Sequence, residues 1–576
     1  MPKRATTNRQ VINVLREIAL YLRATDVPFK PQAYEVAAEG IAGLETELAE
    51  LYERCGKKCL DDIPGVGTSI AEKIEELVTT GRLGYYQQLK KKYPFDMLAL
   101  TSIQEIGPKT AFKLYRALGV KTLRDLERTG RAHKIERVAG MGHKSEQKIM
   151  RGIAFLKTNG GRQIIHDALP LARHILKRLE KVEGVTHIDI AGSLRRRKET
   201  IGDIDLIATT SKPCELALAF KSLPEVTRVV ESGEEKIAVH YTSGLSGDLL
   251  ILPPEAYGAA LLHFTGSREH NILLRELAIK KGMKLSEHGL FKGKKCIAMG
   301  TEELIYKALG LVWIPPELRV GSDEIDAARH HDIPTLIAYG SLKGDLQIQT
   351  DWTDGTASIQ EMARAGKEAG LSYMAVTDHT QALAMTGGLD EKKLRRQGRE
   401  IDRINKTLRG MRVLKSTECD ILKDGRLDLR DEALRVLDLV GVSVHSHFDL
   451  SKRDMTDRII NAIKHPLVNI LFHPTGRVVG RREPYQVEMT RVIRAAKEYG
   501  VALEINGSER LDLHEQYIRE AIAQRVKLVV SSDAHDPSHF ANLEYGIAQA
   551  RKGWARKADI LNTKPLEELL RALKKK

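Results

Sequence analysis

The chain has 576 residues, too many for a single hydrophobic core, so three or four domains are expected. Its 42% hydrophobic and 29% charged residues exclude a disordered chain, and no apolar run approaches the roughly 18–20 residues that cross a bilayer. A net charge of +14 suits a polyanionic partner.

The chain opens on MPKRATTNRQVINVLREIALYLRATD, which reads as an amphipathic helix without the continuous apolar core of a signal peptide. Five cysteines are few and scattered; Cys55 and Cys59 have no second pair nearby, which predicts reduced structural thiols rather than a zinc site, and hence the cytoplasm. Within the first 160 residues a motif recurs three times: IPGVGTSIAEKI, IQEIGPKTAFKL and VAGMGHKSEQKI. Each copy has a glycine turn (Gly67, Gly107, Gly142) and a lysine six residues later (Lys73, Lys113, Lys148). Glycine allows a tight turn and close approach to a phosphate, and the N–H groups that open the next helix face that anion. The copies closely resemble helix-hairpin-helix DNA-binding motifs, complete in the first (Gly65, Gly67) and third (Gly140, Gly142), with Glu105 replacing the first glycine of the second. Such motifs hold the sugar-phosphate chain without reading sequence.

Further along, IDIAGSLRRRKETIGDIDLIATT places Asp203 and Asp205 one residue apart on a strand, so both carboxylates point to one face. Gly192-Ser193 is read as the end of the preceding strand, and Arg195, Arg196, Arg197 and Lys198 follow. Asp248, in SGLSGDLLILPP, sits among apolar residues where an unpartnered charge is costly. Three strand-borne acids beside a Gly-Ser turn and arginines suit two Mg²⁺ ions, with Ser193 and Arg196 holding a triphosphate. The spacing resembles the nucleotidyltransferase signature, which leaves polymerases, nucleotide-adding enzymes and antibiotic-modifying enzymes open.

The segment LLHFTGSREHNILLRELAIKKGMKLSEHGLF narrows the choice, because residues 1–318 resemble a family X DNA polymerase, the group of DNA polymerase beta. That resemblance implies a lyase-like helical domain over 1–85, a helical DNA-binding subdomain over 86–160, an α+β palm over 161–255 and a nucleotide-selection subdomain over 256–318. It assigns Gly202 with Gly192, Ser193 and Arg196 to the nucleotide, and Phe264, Thr265 and Gly266 to its sugar pocket. Asn271 falls on the base's minor-groove edge and Arg275 on the template; four residues apart, they share a helical face. His263 stands where animal enzymes carry Tyr. The resemblance also places Lys73 on the Schiff-base nucleophile of a 5′-deoxyribose-phosphate lyase, Tyr34 in that pocket and Lys30 on its phosphate, with Ser69 replacing a second lysine. A monovalent cation at the hairpins is implied as well.

After a linker over 319–338, short apolar strands alternate with helices from 339 to 576, and nearly every strand ends in His, Asp or Glu. This is the pattern of a β/α barrel with its active-site mouth at the strand C-termini. His379, Glu418, His445, His473, Asp533 and His535 are expected to converge on Zn²⁺ or Mn²⁺. The cluster resembles the PHP (polymerase and histidinol phosphatase) domain, whose trinuclear metal centre works as a 3′–5′ exonuclease and AP endonuclease. In GDLQIQTDWTDG, Gln347 and Gln349 occupy the family's two opening histidines while Asp354 remains. Metal at fewer than three sites, with nuclease activity weak or absent, follows.

The expectation is a multidomain α and α/β protein: a monomeric, template-directed polymerase that fills short DNA gaps in base-excision repair or end joining. It would take deoxynucleoside triphosphates with Mg²⁺ or Mn²⁺ and engage no membrane. The alternative is a metal-dependent DNA phosphoesterase that uses the polymerase core only to dock; the glutamines argue against it. A non-enzymatic scaffold fits poorly with three intact acids.

Overall fold

A computed structural model describes residues 8–573 apart from 26, 28–29, 43, 45, 102, 104–105, 159–161 and 384–385. They form two compact units that divide near residue 160.

The N-terminal unit is helical. In the helix Asn8–Ala24, Val11, Leu15, Ile18 and Leu22 recur at three- and four-residue spacing and are buried against Tyr34, Ile41, Ile70 and Ile74. A second cluster gathers Phe95, Leu100, Ile106, Leu114, Leu126 and Ile149. Gly67 and Gly107 are the N-caps of the helices Thr68–Thr80 and Pro108–Leu118, and Gly142 precedes His143–Thr158. Gly65 has φ +79, and a Cβ there would lie 2.4 Å from the Val36 side chain, so the turn admits only glycine. A Cβ at Gly67, Gly107 or Gly142 would meet nothing within 4 Å, which leaves those helix N-termini open for a ligand to approach. Glu105 lies outside the described residues.

The cysteine expectation is corrected. Cys55 and Cys59 form a disulfide with their Cα atoms 5.7 Å apart. The chain breaks at Gly56 (φ +65) between the helices Leu48–Cys55 and Lys57–Asp61, and that turn, invisible in the spacing, brings the sulfurs together. This pair therefore gives no support for a reducing compartment. Among the described residues, no helix is long and apolar enough to cross a membrane.

In the second unit, a five-stranded sheet comprises β1 (Val185–Ile190), β2 (Asp203–Thr210), β3 (Val226–Ser232), β4 (Lys236–Tyr241) and β5 (Ser246–Leu252), in spatial order β1-β2-β5-β4-β3. Only β2 and β5 run parallel. Their side chains alternate: Ile204, Leu206, Leu249 and Ile251 enter the core while the acids face the other way. Gly192-Ser193 does not end β1. It opens a one-turn helix, Gly192–Arg195, after Ala191, because the backbone carbonyl of Ala191 already accepts from Arg195.

The helices Tyr257–Thr265, Arg268–Lys280 and Glu302–Ala308 surround a small antiparallel sheet and share one core. The segment 319–338 is not a free connector. It carries the helix Glu324–His330, and Ile325, Ala328 and Leu336 pack into that same core, since their apolar spacing gives the segment a buried face.

Among the described residues, eight parallel strands follow in chain order: β6 (Gly344–Ile348), β7 (Tyr373–Val376), β8 (Arg412–Lys415), β9 (Glu418–Asp420), β10 (Gly441–Ser443), β11 (Ile470–Leu471), β12 (Ala502–Asn506) and β13 (Leu528–Ser531). They form sheets of three and five, and a parallel bridge links Ile348 of the first strand to Ala534, just past the last. Both faces are buried, which explains the near-continuous apolar runs. Leu511 and Tyr545 reach out of this domain into the core of the five-stranded sheet.

Candidate active sites

On β2 and β5 the catalytic candidates meet. Asp205 and Asp248 are direct neighbours across the parallel ladder, and Asp203 shares the face of Asp205 two residues earlier. Burial first, then repulsion by Asp203 and Asp248, pushes the Asp205 carboxyl up to about 7. The Lys236 ammonium lies 2.9 Å from Asp248 and supplies part of the missing positive charge. Gly192 (φ +58) must be glycine, since a Cβ would come within 1.8 Å of Asp205 Oδ2. Behind this turn the Ser193 hydroxyl and Arg196 Nε are buried without a hydrogen-bond partner, an arrangement that costs free energy until an acceptor arrives. A crowded, protonation-prone acid beside buried, unused donors fits divalent metal with a polyanion.

A cavity of about 680 Å³ opens on this constellation. Gly192, Ser193, Arg196, Asp203, Asp205, Phe264, Gly266, Asn271 and Arg275 line it, as does His263. Asn271 Nδ2 donates to the His263 carbonyl (2.6 Å), and Arg275 Nε donates to the Asn271 carbonyl (3.2 Å), so the two side chains do share a face of Arg268–Lys280. Thr265 differs from expectation: it is fully buried, its hydroxyl accepting from Arg195 (2.6 Å) and its carbonyl from Arg196. Its side chain supports the pocket from behind. Gly202 lies against the Arg162 guanidinium.

Arg162, Lys198, His514, Glu515 and Lys552 also line the cavity and were missed. Lys198 belongs to the visible cationic run, whereas nothing local marks the other four. The run itself splits three ways. Arg195 pairs with buried Glu302 (2.7 Å), Arg196 and Lys198 face the cavity, and Arg197 pairs with Glu544 (2.9 Å).

In the N-terminal unit, Lys73 Nζ donates to the Ser69 carbonyl (2.8 Å) and hydroxyl (3.0 Å) and lies 5.7 Å over the Tyr85 ring. Tyr34 is buried; burial and then Tyr85 push its phenol up to about 12. Lys30 is exposed at the start of the helix Lys30–Ala42. Lys109, Lys113, Arg116, Lys134 and Arg137 line one cleft between the second and third hairpins.

At the C-terminal ends of β6 to β13 the imidazoles and acids gather. Asp354, His379 and His535 lie close enough to share an ion, as do His379, Glu418 and His445. His473 Nε2 is 2.7 Å from Glu418 Oε1. Burial pushes Glu418 up, but His379 and His445 outweigh it and hold the carboxyl well below its usual range. Nδ1 of His379 and of His473 is buried without a hydrogen bond, that of His379 facing Glu418 Oε2 at 3.5 Å, so these groups fit metal. At the glutamine positions one half of each amide is engaged, while Gln347 Nε2 and Gln349 Oε1 are buried without a hydrogen-bond partner. Gln349 Nε2 donates to Glu418 Oε2 (2.8 Å), and Gln347 Oε1 accepts from Asn506 Nδ2 (3.0 Å). Asp533 Oδ2 faces Arg510 (3.3 Å) and Asn506 (3.2 Å), while its Oδ1 lies 3.9 Å from His535 Nδ1. Glu504, Asn506 and Arg510 were not foreseen, although Glu504 ends a strand as the other candidates do.

The description "DNA polymerase beta thumb" matches residues 260–320, "Helix-hairpin-helix domain" residues 6–83, and "SAM-like Helix-hairpin-helix tandem" residues 97–154. The chain is 34% identical to the DNA polymerase/3′-5′ exonuclease PolX of Bacillus subtilis, over 98% of this chain and 99% of that one. It is 24% identical to DNA polymerase lambda of Arabidopsis thaliana over 54% of this chain and 62% of the relative. A probable phosphatase of Caldanaerobacter subterraneus is 33% identical over 31% of this chain and 70% of its own. With the hairpins, the paired acids and the histidine-rich strand ends in hand, the chain belongs to the family X DNA polymerases that carry a C-terminal PHP domain.

Proposed function

We propose that the protein is a template-directed DNA polymerase that fills short gaps during base-excision repair or end joining, acting as a cytoplasmic monomer. The observation that carries this is Asp205 opposite Asp248 on adjacent parallel strands, beside unused donors on Ser193 and Arg196. Two divalent cations, Mg²⁺ or Mn²⁺, held by Asp203, Asp205 and Asp248 would supply Lewis acidity at the 3′-hydroxyl and the departing pyrophosphate. The chain's own part is positional. Ser193, Arg196 and the backbone at Gly192 and Gly202 receive the triphosphate, Phe264 and Gly266 flank the sugar, and Asn271 and Arg275 meet the nascent base pair. Gly65, Gly67, Gly107, Gly140 and Gly142, with a monovalent cation at the turns, grip the DNA backbone. Single-nucleotide gap filling by wild type and Asp248→Ala tests this; undiminished incorporation by the variant would refute it.

The PHP site carries a reduced metal complement. Asp354, His379, Glu418, His445, His473, Asp533 and His535 would hold Zn²⁺ or Mn²⁺, with one oxygen of Asp533 shared with Arg510, and exonuclease and AP endonuclease activity are weak. A lyase step at Lys73 is the third element, supported by its place beside Tyr85 and near the Tyr34 pocket, with Lys30 binding phosphate. Borohydride trapping of a 5′-deoxyribose-phosphate substrate checks it, and an adduct persisting in Lys73→Ala would remove the assignment.

A further inference from the structure

Glu199 lines the cavity, and among the described residues the side chains that grip its carboxylate come from the C-terminal domain. Arg477 reaches its carboxylate with two guanidinium nitrogens (2.7 and 3.2 Å), Gln549 Nε2 donates to it (2.6 Å), and the buried ammonium of Lys552 lies 3.7 Å away. Burial pushes Glu199 up, but Lys552 and Arg477 bring the carboxyl down to about 2, so it is an anion at any working pH.

Its neighbours in sequence are the working parts of the polymerase site. Lys198 N–H donates to the Ser193 carbonyl (3.0 Å), which closes the turn that carries the Ser193 hydroxyl and Arg196. The Glu199 carbonyl accepts from Ile165 N–H (3.0 Å). Thr200–Ile201 then pairs with Gln163–Ile164, and Thr200 accepts from the cavity residue Arg162. Two residues later the chain reaches Asp203. One short segment thus runs from the phosphate cradle to the catalytic strand, and its midpoint is fixed from outside the palm.

We propose that Glu199 is a positioning residue through which the PHP domain fixes the nucleotide cradle, so that this domain works as part of the polymerase site whatever its own nuclease can do. The inference rests on the polymerase reading. The Asp248→Ala comparison tests that reading alone, since Asp248 does not contact Glu199's partners.

The experiment measures single-nucleotide gap filling by the full-length protein, with KM for the nucleotide, kcat, and Kd for gapped DNA, in Glu199→Gln, Arg477→Met and the double variant. A slackened cradle weakens nucleotide binding: each single variant raises KM roughly tenfold with kcat little changed and DNA affinity retained. The double variant is no worse than the poorer single, because both remove one shared interaction. Glu199→Asp, which keeps the charge at shorter reach, recovers part of the loss and serves as the reporter should Glu199→Gln not fold. A fall in kcat at unchanged KM, as a reduced folded fraction gives, overturns the proposal. So do multiplicative effects in the double variant, or no effect in any of them.

Discussion

The palm and the PHP domain both gather acids at the ends of buried parallel strands, yet they treat those acids in opposite ways. In the palm the carboxylates face one another, Asp205 is forced up to about 7, and Ser193 and Arg196 keep buried donors unused. In the PHP domain part of the same demand is met internally. Gln349 donates to Glu418, Asn506 to Gln347 and to Asp533, and Arg510 stands by Asp533. Clustered acids alone therefore say little about metal. Whether neighbouring donors already satisfy them says more, since an amide N–H occupies the carboxylate lone pair a cation needs.

The largest expected effect tests the palm half of that contrast. Asp205→Asn relieves the repulsion and removes a ligand, and gap filling should fall by roughly three orders of magnitude with gapped-DNA affinity retained. Retention of activity within tenfold would mean the repulsion serves no metal. Next, Gln347→His with Gln349→His should turn the PHP site toward the palm's unsatisfied state. Bound Mn²⁺ should rise by about one ion per chain by elemental analysis, and primer digestion with Mn²⁺ should increase roughly tenfold or more. Unchanged metal content would mean that Arg510 and Asn506, not the glutamines, close the site.

A third comparison uses a fully paired acid. Glu302 is buried between Arg195 (2.7 Å) and Arg319 (2.6 Å), and these guanidinium groups hold its carboxyl well below the usual range despite burial. Glu302→Gln leaves two cations without their anion and should destabilise this unit by about 3–5 kcal/mol, read from denaturant midpoints. The smallest effect concerns pH. An acid at about 7 when folded and at 3.8 when unfolded binds its proton more tightly in the fold. Its stabilisation is full below the unfolded value and is lost as pH rises from about 4 to about 7, a change of at most about 4 kcal/mol. In EDTA the protein should therefore melt lower at pH 8 than at pH 5. Asp205→Asn should flatten that difference, and Mg²⁺ should restore the wild type at pH 8.

Much of the candidate site was legible because its cues are short-range. A two-residue spacing on a strand put Asp203 and Asp205 on one face, a four-residue spacing put Asn271 and Arg275 on one face of a helix, and alternating strands and helices placed His379, Glu418 and His473 at one edge. Other readings failed where a local break intervened. The turn at Gly56 joined Cys55 to Cys59, and the carbonyl of Ala191 started a helix where a strand end was expected. Thr265 carries the right residue at the right place, but Arg195 draws its hydroxyl inward.

Taken alone, the sequence set out the hairpin repeats, put Asp203 and Asp205 on one face of a strand and set His379, Glu418 and His473 at strand ends, because strand and helix periods fix which neighbours share a face. Only the tertiary structure decided that His514, Glu515 and Lys552 wall the cavity beside Asp205 and that Arg477 and Gln549 anchor Glu199. Those partners are more than 270 residues from Glu199 along the chain, as the separations of 278 and 350 show, and no local pattern encodes a contact made when two separately wound sheets pack together.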